Sequence, residues 1–246
     1  MRSVIFRRCL VVALCGLVAA GCAGTQNRHT DPVNDPWEGY NRKMHAFNMG
    51  VDKAVLRPLA KGYDTITPDP LQRGIGNFFR NLGYPVTALN QVFQGKFGAL
   101  GESTDRFIKN TVFGLFGFFD VATATGIPFH DEDFGQTMAG WGWEDSRYFV
   151  LPIFGPSTVR DTLGRSVYGT VHPLNIYARE EHEYWPIAVD VVQFRAQLLF
   201  RDEQVAAAYD PYVFIRDAWL QRREFLIYDG QPPEPDYDAY LQELEE

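Results

Sequence analysis

Residues Thr111–Asp120 read TVFGLFGFFD. Four phenylalanines, a leucine and a valine share ten positions with Gly114 and Gly117. In a helix interior each glycine costs ~1 kcal/mol against alanine, and a water-facing loop has no use for four phenylalanines. The stretch therefore reads as a bend between two helices, with Asp120 placed to cap the second. Phe113, Leu115, Phe116, Phe118 and Phe119 are expected to offer apolar surface to lipid or to a channel, with plain core filling the bland alternative. The longest weakly charged run, Asn110–Phe129, is broken by Gly114, Gly117, Gly126 and Pro128, which excludes a membrane-crossing helix there.

On both sides of this stretch the pattern is helical. Asp35-Pro36-Trp37-Glu38 has the form of an N-cap, a first-turn proline and a capping-box glutamate. Trp37, Tyr40, Met44, Phe47, Val51 and Val55 follow at helical spacing, one stripe that suits core packing or partial contact with lipid. Arg57-Pro58 is expected to end this helix. Asp69-Pro70 opens a second helix that Gly83 closes, and Asp210-Pro211 opens a long one through Ile227. Further helices are expected over about 85–94, 99–112, 118–125, 133–141, 157–168 and 186–207. Tyr148–Leu151 is the best strand, limited by Pro152 to a short or edge segment. The expected class is mainly all-α, a single domain with little or no β structure.

The first 21 residues form a separate unit. Arg2, Arg7 and Arg8 precede a charge-free stretch, Cys9–Ala20, and then small residues, the layout of a secretory signal. The cysteines are Cys9, Cys15 and Cys22, so removal of residues 1–21 leaves one thiol, which cannot form an internal disulfide. Residues 22–34 read as a flexible tether, 35–230 as the folded domain, and 231–246 as an acidic, mostly disordered tail with six acids and no base.

Charge and missing motifs narrow the function. Without the three signal arginines, 20 of 23 basic residues remain against 31 acids, a net charge of −11. There is no basic footprint for nucleic acid and no polybasic run for anionic lipid heads. No GxSxG, HExxH or phosphate-binding glycine loop occurs, so an enzyme is not expected. His130-Asp131-Glu132-Asp133 and Glu180-Glu181-His182-Glu183 read as solvated acidic turns rather than metal sites, and no cofactor is called for.

Val18-Ala19-Ala20-Gly21-Cys22 resembles a bacterial lipobox, with alanine where leucine is favoured. This implies cleavage before Cys22 and lipid attachment to it; Ala23 implies sorting to the outer membrane. Asp35–Arg42 with Phe47-Asn48, Asn77–Leu82, Asn90–Gly95, Arg106–Thr111, Gly114–Ala122, Asp133–Thr137, Leu151–Asp161 and Asp210–Tyr212 together resemble the MlaA/VacJ lipoproteins, in order over about residues 31–230. Between Trp141 and Tyr148 the chain departs from the family, carrying Gly142-Trp143-Glu144-Asp145-Ser146-Arg147 in place of a glycine-rich turn.

The resemblance implies a ring-like helical lipoprotein lying in the periplasmic leaflet of the outer membrane. Its amphipathic channel would take mislocalised phospholipid from the outer leaflet. The lipid would pass to a periplasmic carrier and on to an inner-membrane ABC transporter, with a trimeric porin as membrane partner. Candidate lipid- or channel-facing residues are Phe47, Asn48, Phe113, Gly114, Leu115, Phe116, Gly117, Phe118, Phe119 and Asp120. A structural lipoprotein that scaffolds porins or the envelope is the alternative.

Overall fold

In the computed structural model the described residues are 34–233. The signal, Cys22, most of the tether and the end of the acidic tail lie outside them. The chain forms α1 (Glu38–Val51), α2 (Arg57–Ile66), α3 (Asp69–Gln94), α4 (Phe97–Val112), α5 (Val121–Ala124), α6 (Phe134–Gly140), β1 (Tyr148–Leu151), β2 (Gly155–Thr158), α7 (Val159–Val171), α8 (Pro173–Glu180), α9 (Trp185–Ala196), α10 (Asp202–Ala207) and α11 (Pro211–Ile227). The strands pair antiparallel, Tyr148 opposite Thr158 and Leu151 opposite Gly155.

Helix ends that depend on one side chain fall where the sequence places them. Asp133 accepts from Gln136 N at 2.9 Å and Asp210 from Tyr212 N at 3.0 Å. Gly95 ends α3 in the left-handed conformation, φ 72°, as a C-terminal glycine does. Ends that depend on packing differ. Gly83 and Pro85 do not divide α3, which runs 26 residues. Beyond them its buried face is held by α4 and α6: Gln91 donates to Ser103 at 2.9 Å and Asn90 accepts from Thr137 at 2.8 Å. Pro58 does not stop the first helix either. A π turn, Asp52–Leu56, precedes it and the helix resumes.

The expected 186–207 helix is instead α9, a short 3-10 turn at Leu199–Arg201, and α10. The break lets Arg195 reach Asp202 at 2.8 Å while it grips Asp52 through two bonds at 2.7 and 2.9 Å. Asp35 does not cap α1. It is buried, accepting from Asn41 at 2.7 Å and from Tyr212 and Arg216, which ties the chain's entry to α11.

Contacts between elements run in a circuit: α1 meets β1, β2 meets α7, α7, α8, α9 and α2 follow in turn, and the π turn links α2 to α1. The packed centre is small, Tyr148, Val150 and Tyr212 with Met44 and Trp219 against them. What the interior holds instead is polar. The largest fully enclosed side chains include Arg106, Arg160, Gln91 and Asn41. Such groups are tolerated inside only when bonded. Arg160 donates to the Trp143 and Glu144 carbonyls at 2.7 and 2.8 Å, which fixes the divergent 142–147 loop. Arg223 bridges Asp133 and Asp161 at 2.6 and 2.8 Å, joining α6, α7 and α11. Among the described residues, 37 large hydrophobic side chains are exposed, against twelve buried hydrophobic residues, five of them alanine. The usual sense of burial is inverted. No helix among the described residues is long and apolar enough to cross a membrane.

Candidate functional site

The 111–120 stretch is neither a helix nor a plain bend. After α4 the chain makes a tight reversal in which Leu115, Phe116 and Gly117 all take positive φ, 53°, 57° and 94°. Gly117 N donates to Asn110 O at 2.7 Å and Phe119 N to Gly114 O at 2.8 Å. Both glycines are required. A Cβ on Gly114 would lie 2.2 Å from Phe119 O, and one on Gly117 would lie 2.3 Å from Asn81 Cβ. Consecutive left-handed residues are strained for leucine and phenylalanine, so the reversal has to be held from outside.

Three asparagines and one ion pair hold it. Asn81 donates to Thr111 Oγ1 at 2.9 Å and to Phe116 O at 3.3 Å, and Asn77 to Phe118 O at 3.3 Å. Asn110 accepts from Ala122 N at 2.8 Å. Arg106, fully buried, donates to both oxygens of Asp120 at 3.0 and 3.1 Å and to Tyr84 Oη at 2.7 Å. Asp120 also accepts from Thr123 N at 3.1 Å and so caps α5 as expected; that helix is shorter than the expected 118–125 because the reversal uses residues 113–119. Burial alone would raise the Asp120 carboxyl. Hydrogen bonds from Thr123 and Asn110, and the Arg106 charge, outweigh it and hold it below the usual range.

The reversal sorts its phenylalanines. Phe113, Leu115, Phe116 and Phe119 are exposed, and Gly114 and Gly117 are buried against protein. Phe118 turns inward onto α3, its ring lying against Gly74. Phe47 is half exposed on α1. Asn48 serves the β1–β2 turn, donating to Leu151 O at 2.9 Å and accepting from Ile153 N at 2.6 Å.

Phe118 and Asp120 open onto two clefts that flank α3. One, about 630 Å³, is apolar: Ile75, Phe78, Leu82, Phe118, Leu174 and Trp185 line it. The other, about 640 Å³, is polar: Arg73, Asn77, Arg80, Asp120, Thr123 and Gln197 line it. Helical spacing explains the division, since 73, 77 and 80 lie on one side of α3 and 75, 78 and 82 on another. Both volumes are in the range of ligand sites.

Some charges are wetted yet hemmed in by protein. The Asp131 side chain is 51% exposed, but burial, then the Asp133 charge, raises its carboxyl against the pull of Arg222, Arg223 and Arg80. Tyr168 is exposed, yet burial and the fields of Asp190 and Asp131 push its hydroxyl to about 12. The histidine and acid runs are taken up by pairs: His130 meets Glu102, and Lys96 meets Glu132 at 3.0 Å. Among the described residues, no three His, Cys, Asp or Glu side chains gather to hold a metal.

A helical fold with a polar, hydrogen-bonded interior, many exposed large hydrophobic side chains and paired clefts defines a lipid-adapted helical protein rather than a water-adapted one. The chain belongs to the MlaA lipoprotein family, whose pattern matches residues 33–226. An uncharacterised Rickettsia felis protein is 37% identical over 194 residues, 78% of this chain and 77% of that one. The intermembrane phospholipid transport system lipoprotein MlaA of Haemophilus influenzae is 33% identical over 227 residues, covering 90% and 91% of the two chains. That of Escherichia coli is 32% identical over 236 residues, covering 91% and 90%. A solved structure, described as the structural basis for maintenance of bacterial outer membrane lipid asymmetry, superposes with a TM-score of 0.69 at 32% identity. It covers 79% of this chain and 99% of the other.

The supports of the site are not legible in the sequence. Asn77, Asn81, Arg106 and Asn110 stand within the stretches that carry the family resemblance, but nothing in their local pattern says that they converge on one reversal. Arg73 and Arg80, seven residues apart, carried the one readable signal of a charged helix face.

Proposed function

We propose that this chain is an outer-membrane lipoprotein of an intermembrane phospholipid transport system. It removes mislocalised phospholipid from the outer leaflet and so maintains lipid asymmetry. The observation that carries the reading is the inverted burial, 37 large hydrophobic side chains exposed among the described residues against a polar, hydrogen-bonded interior. Water penalises that arrangement; lipid around the ring does not. The names of the H. influenzae and E. coli relatives support the same reading.

In this reading Cys22 carries the acyl anchor and the ring lies in the periplasmic leaflet. The apolar cleft at Phe118 accommodates acyl chains, and the polar cleft at Asp120 accommodates the head group. Transfer of an intact lipid breaks no covalent bond, so it needs no nucleophile, metal or cofactor. The onward partners are a periplasmic phospholipid carrier and, through it, an inner-membrane ABC transporter, with a trimeric porin beside the ring.

The test is extraction of the acylated protein from membranes, mass spectrometry of the lipid that travels with it, and delivery of that lipid to a soluble carrier. Stoichiometric phospholipid and its delivery are expected. Protein that carries no phospholipid and delivers none would sink the transport reading in favour of a structural scaffold.

A further inference from the structure

We propose that Arg73 and Arg80 form a phosphate-reading pair in the polar cleft, and that they bias the protein toward net-anionic glycerophospholipids over zwitterionic ones. The inference rests on the phospholipid-transport reading and names the head-group class for the same site.

The two residues are seven apart on α3, two turns along one face, and both line the cleft. This protein has an excess of acid, and eight of its described arginines hold a carboxylate within 4 Å. Arg73 and Arg80 are exposed and hold none among the described residues. Arg80 meets Asn77 Oδ1 only at 3.5 Å and lies over the Phe129 ring at 5.6 Å, which sets its position without using its charge. In a chain with surplus carboxylates, two uncommitted guanidiniums on one cleft wall are available to an outside anion.

The acids nearby are mostly spent. Asp120, on the same cleft, is occupied by Arg106, Asn110 and Thr123. Asp131, whose field reaches Arg80, is paired with Arg222 at 3.6 Å. Asp69 lines the cleft one turn before Arg73 without forming an ion pair to it. The cleft therefore offers a surplus of positive charge and planar guanidinium donors, which suit phosphate oxygens. A head group that brings a second positive charge about 7 Å from such a surplus loses roughly a factor of three in water-like surroundings.

The experiment uses the full acylated chain, as wild type, as Arg73→Gln/Arg80→Gln and as Arg73→Lys/Arg80→Lys. Each is loaded from vesicles of equal phosphatidylglycerol and phosphatidylethanolamine, and bound lipid is quantified by mass spectrometry. Wild type is expected to be enriched in phosphatidylglycerol about threefold. The double glutamine variant loses the enrichment while still carrying lipid, and the double lysine variant keeps most of it. Circular dichroism checks folding, which is expected to hold because both arginines are exposed and neither pairs with a carboxylate among the described residues. An unchanged lipid ratio in the glutamine variant overturns the inference and leaves the transport reading standing; a wild type that carries no phospholipid overturns both. Inorganic phosphate is titrated in parallel. Arginine-dependent binding of phosphate with no effect of the variants on lipid composition would assign the pair to a free anion and overturn the lipid assignment.

Discussion

The ring of Phe118 lies directly on Gly74: a Cβ built on that glycine would fall 2.2 Å from Phe118 Cζ. The absence of one methyl group on α3 thus seats the aromatic end of the 111–120 reversal and forms one wall of the apolar cleft. Gly74→Ala has two opposed effects. Alanine favours the helix by ~1 kcal/mol, and overpacking costs about 1–3 kcal/mol. We expect a net loss of ~1 kcal/mol in urea unfolding and a reduced lipid load. Gly50, in α1, has nothing within 4 Å of such a Cβ. Gly50→Ala should therefore stabilise by up to ~1 kcal/mol. Equal responses at the two sites would refute the packing account.

Phe116 and Phe118 stand two residues apart and should respond differently to aspartate. Phe116 is 66% exposed, so Phe116→Asp should leave the detergent-solubilised protein within about 0.5 kcal/mol of wild type. It should weaken binding to lipid vesicles and raise phospholipid in the outer leaflet. Phe118→Asp places a carboxylate in the apolar cleft and should destabilise the fold as well. Normal outer-leaflet phospholipid in Phe116→Asp cells, at normal protein abundance, would remove the reversal from the transport surface.

Arg106 and Asp120 form the ion pair that closes the reversal. Arg106→Leu strands the Asp120 carboxylate and should cost about 3–5 kcal/mol, read from urea midpoints. The Asp120 carboxyl titrates below its ordinary value in the folded state. Its stabilising contribution is therefore full above the unfolded value, about pH 4, and is lost as pH falls through the lower folded value. Asp120→Asn should flatten that acid limb. A limb of unchanged steepness would mean that the pair does not contribute to acid stability.

His172 sits at the α7–α8 junction, buried, and stacked on Tyr168 with ring centroids 4.6 Å apart. Burial pushes its imidazole down to about 4. The unfolded chain takes up a proton near pH 6.5, which the folded chain refuses until pH 4. Stability should therefore fall between those values, by at most about 3 kcal/mol, and His172→Gln should remove that slope. Nuclear magnetic resonance titration of the ring decides it, since a midpoint near 6.5 in the folded protein contradicts the buried-neutral state.

What the residues alone determined was mostly local. Gly95, Asp133 and Asp210 end or start helices through their own conformational freedom or their own carboxylate, so one position suffices to read them. The family resemblance was legible because it runs in order through the whole folded region. The tertiary structure decided whatever needs a distant partner. Gly83 and Pro85 fail to break α3 because packing further along outweighs the glycine's low helix propensity and the proline's missing N–H, and Pro58 sits in the first turn of the helix that resumes after the π turn. The break at residues 197–201 brings Asp202 onto Arg195, which also holds Asp52, 143 positions earlier in the chain. TVFGLFGFFD announced two glycines that had to matter and phenylalanines that no ordinary core needed. Which phenylalanine turns inward was settled by Gly74 and Asn81, some forty residues away, because only the folded chain brings a missing Cβ and an amide to the same place.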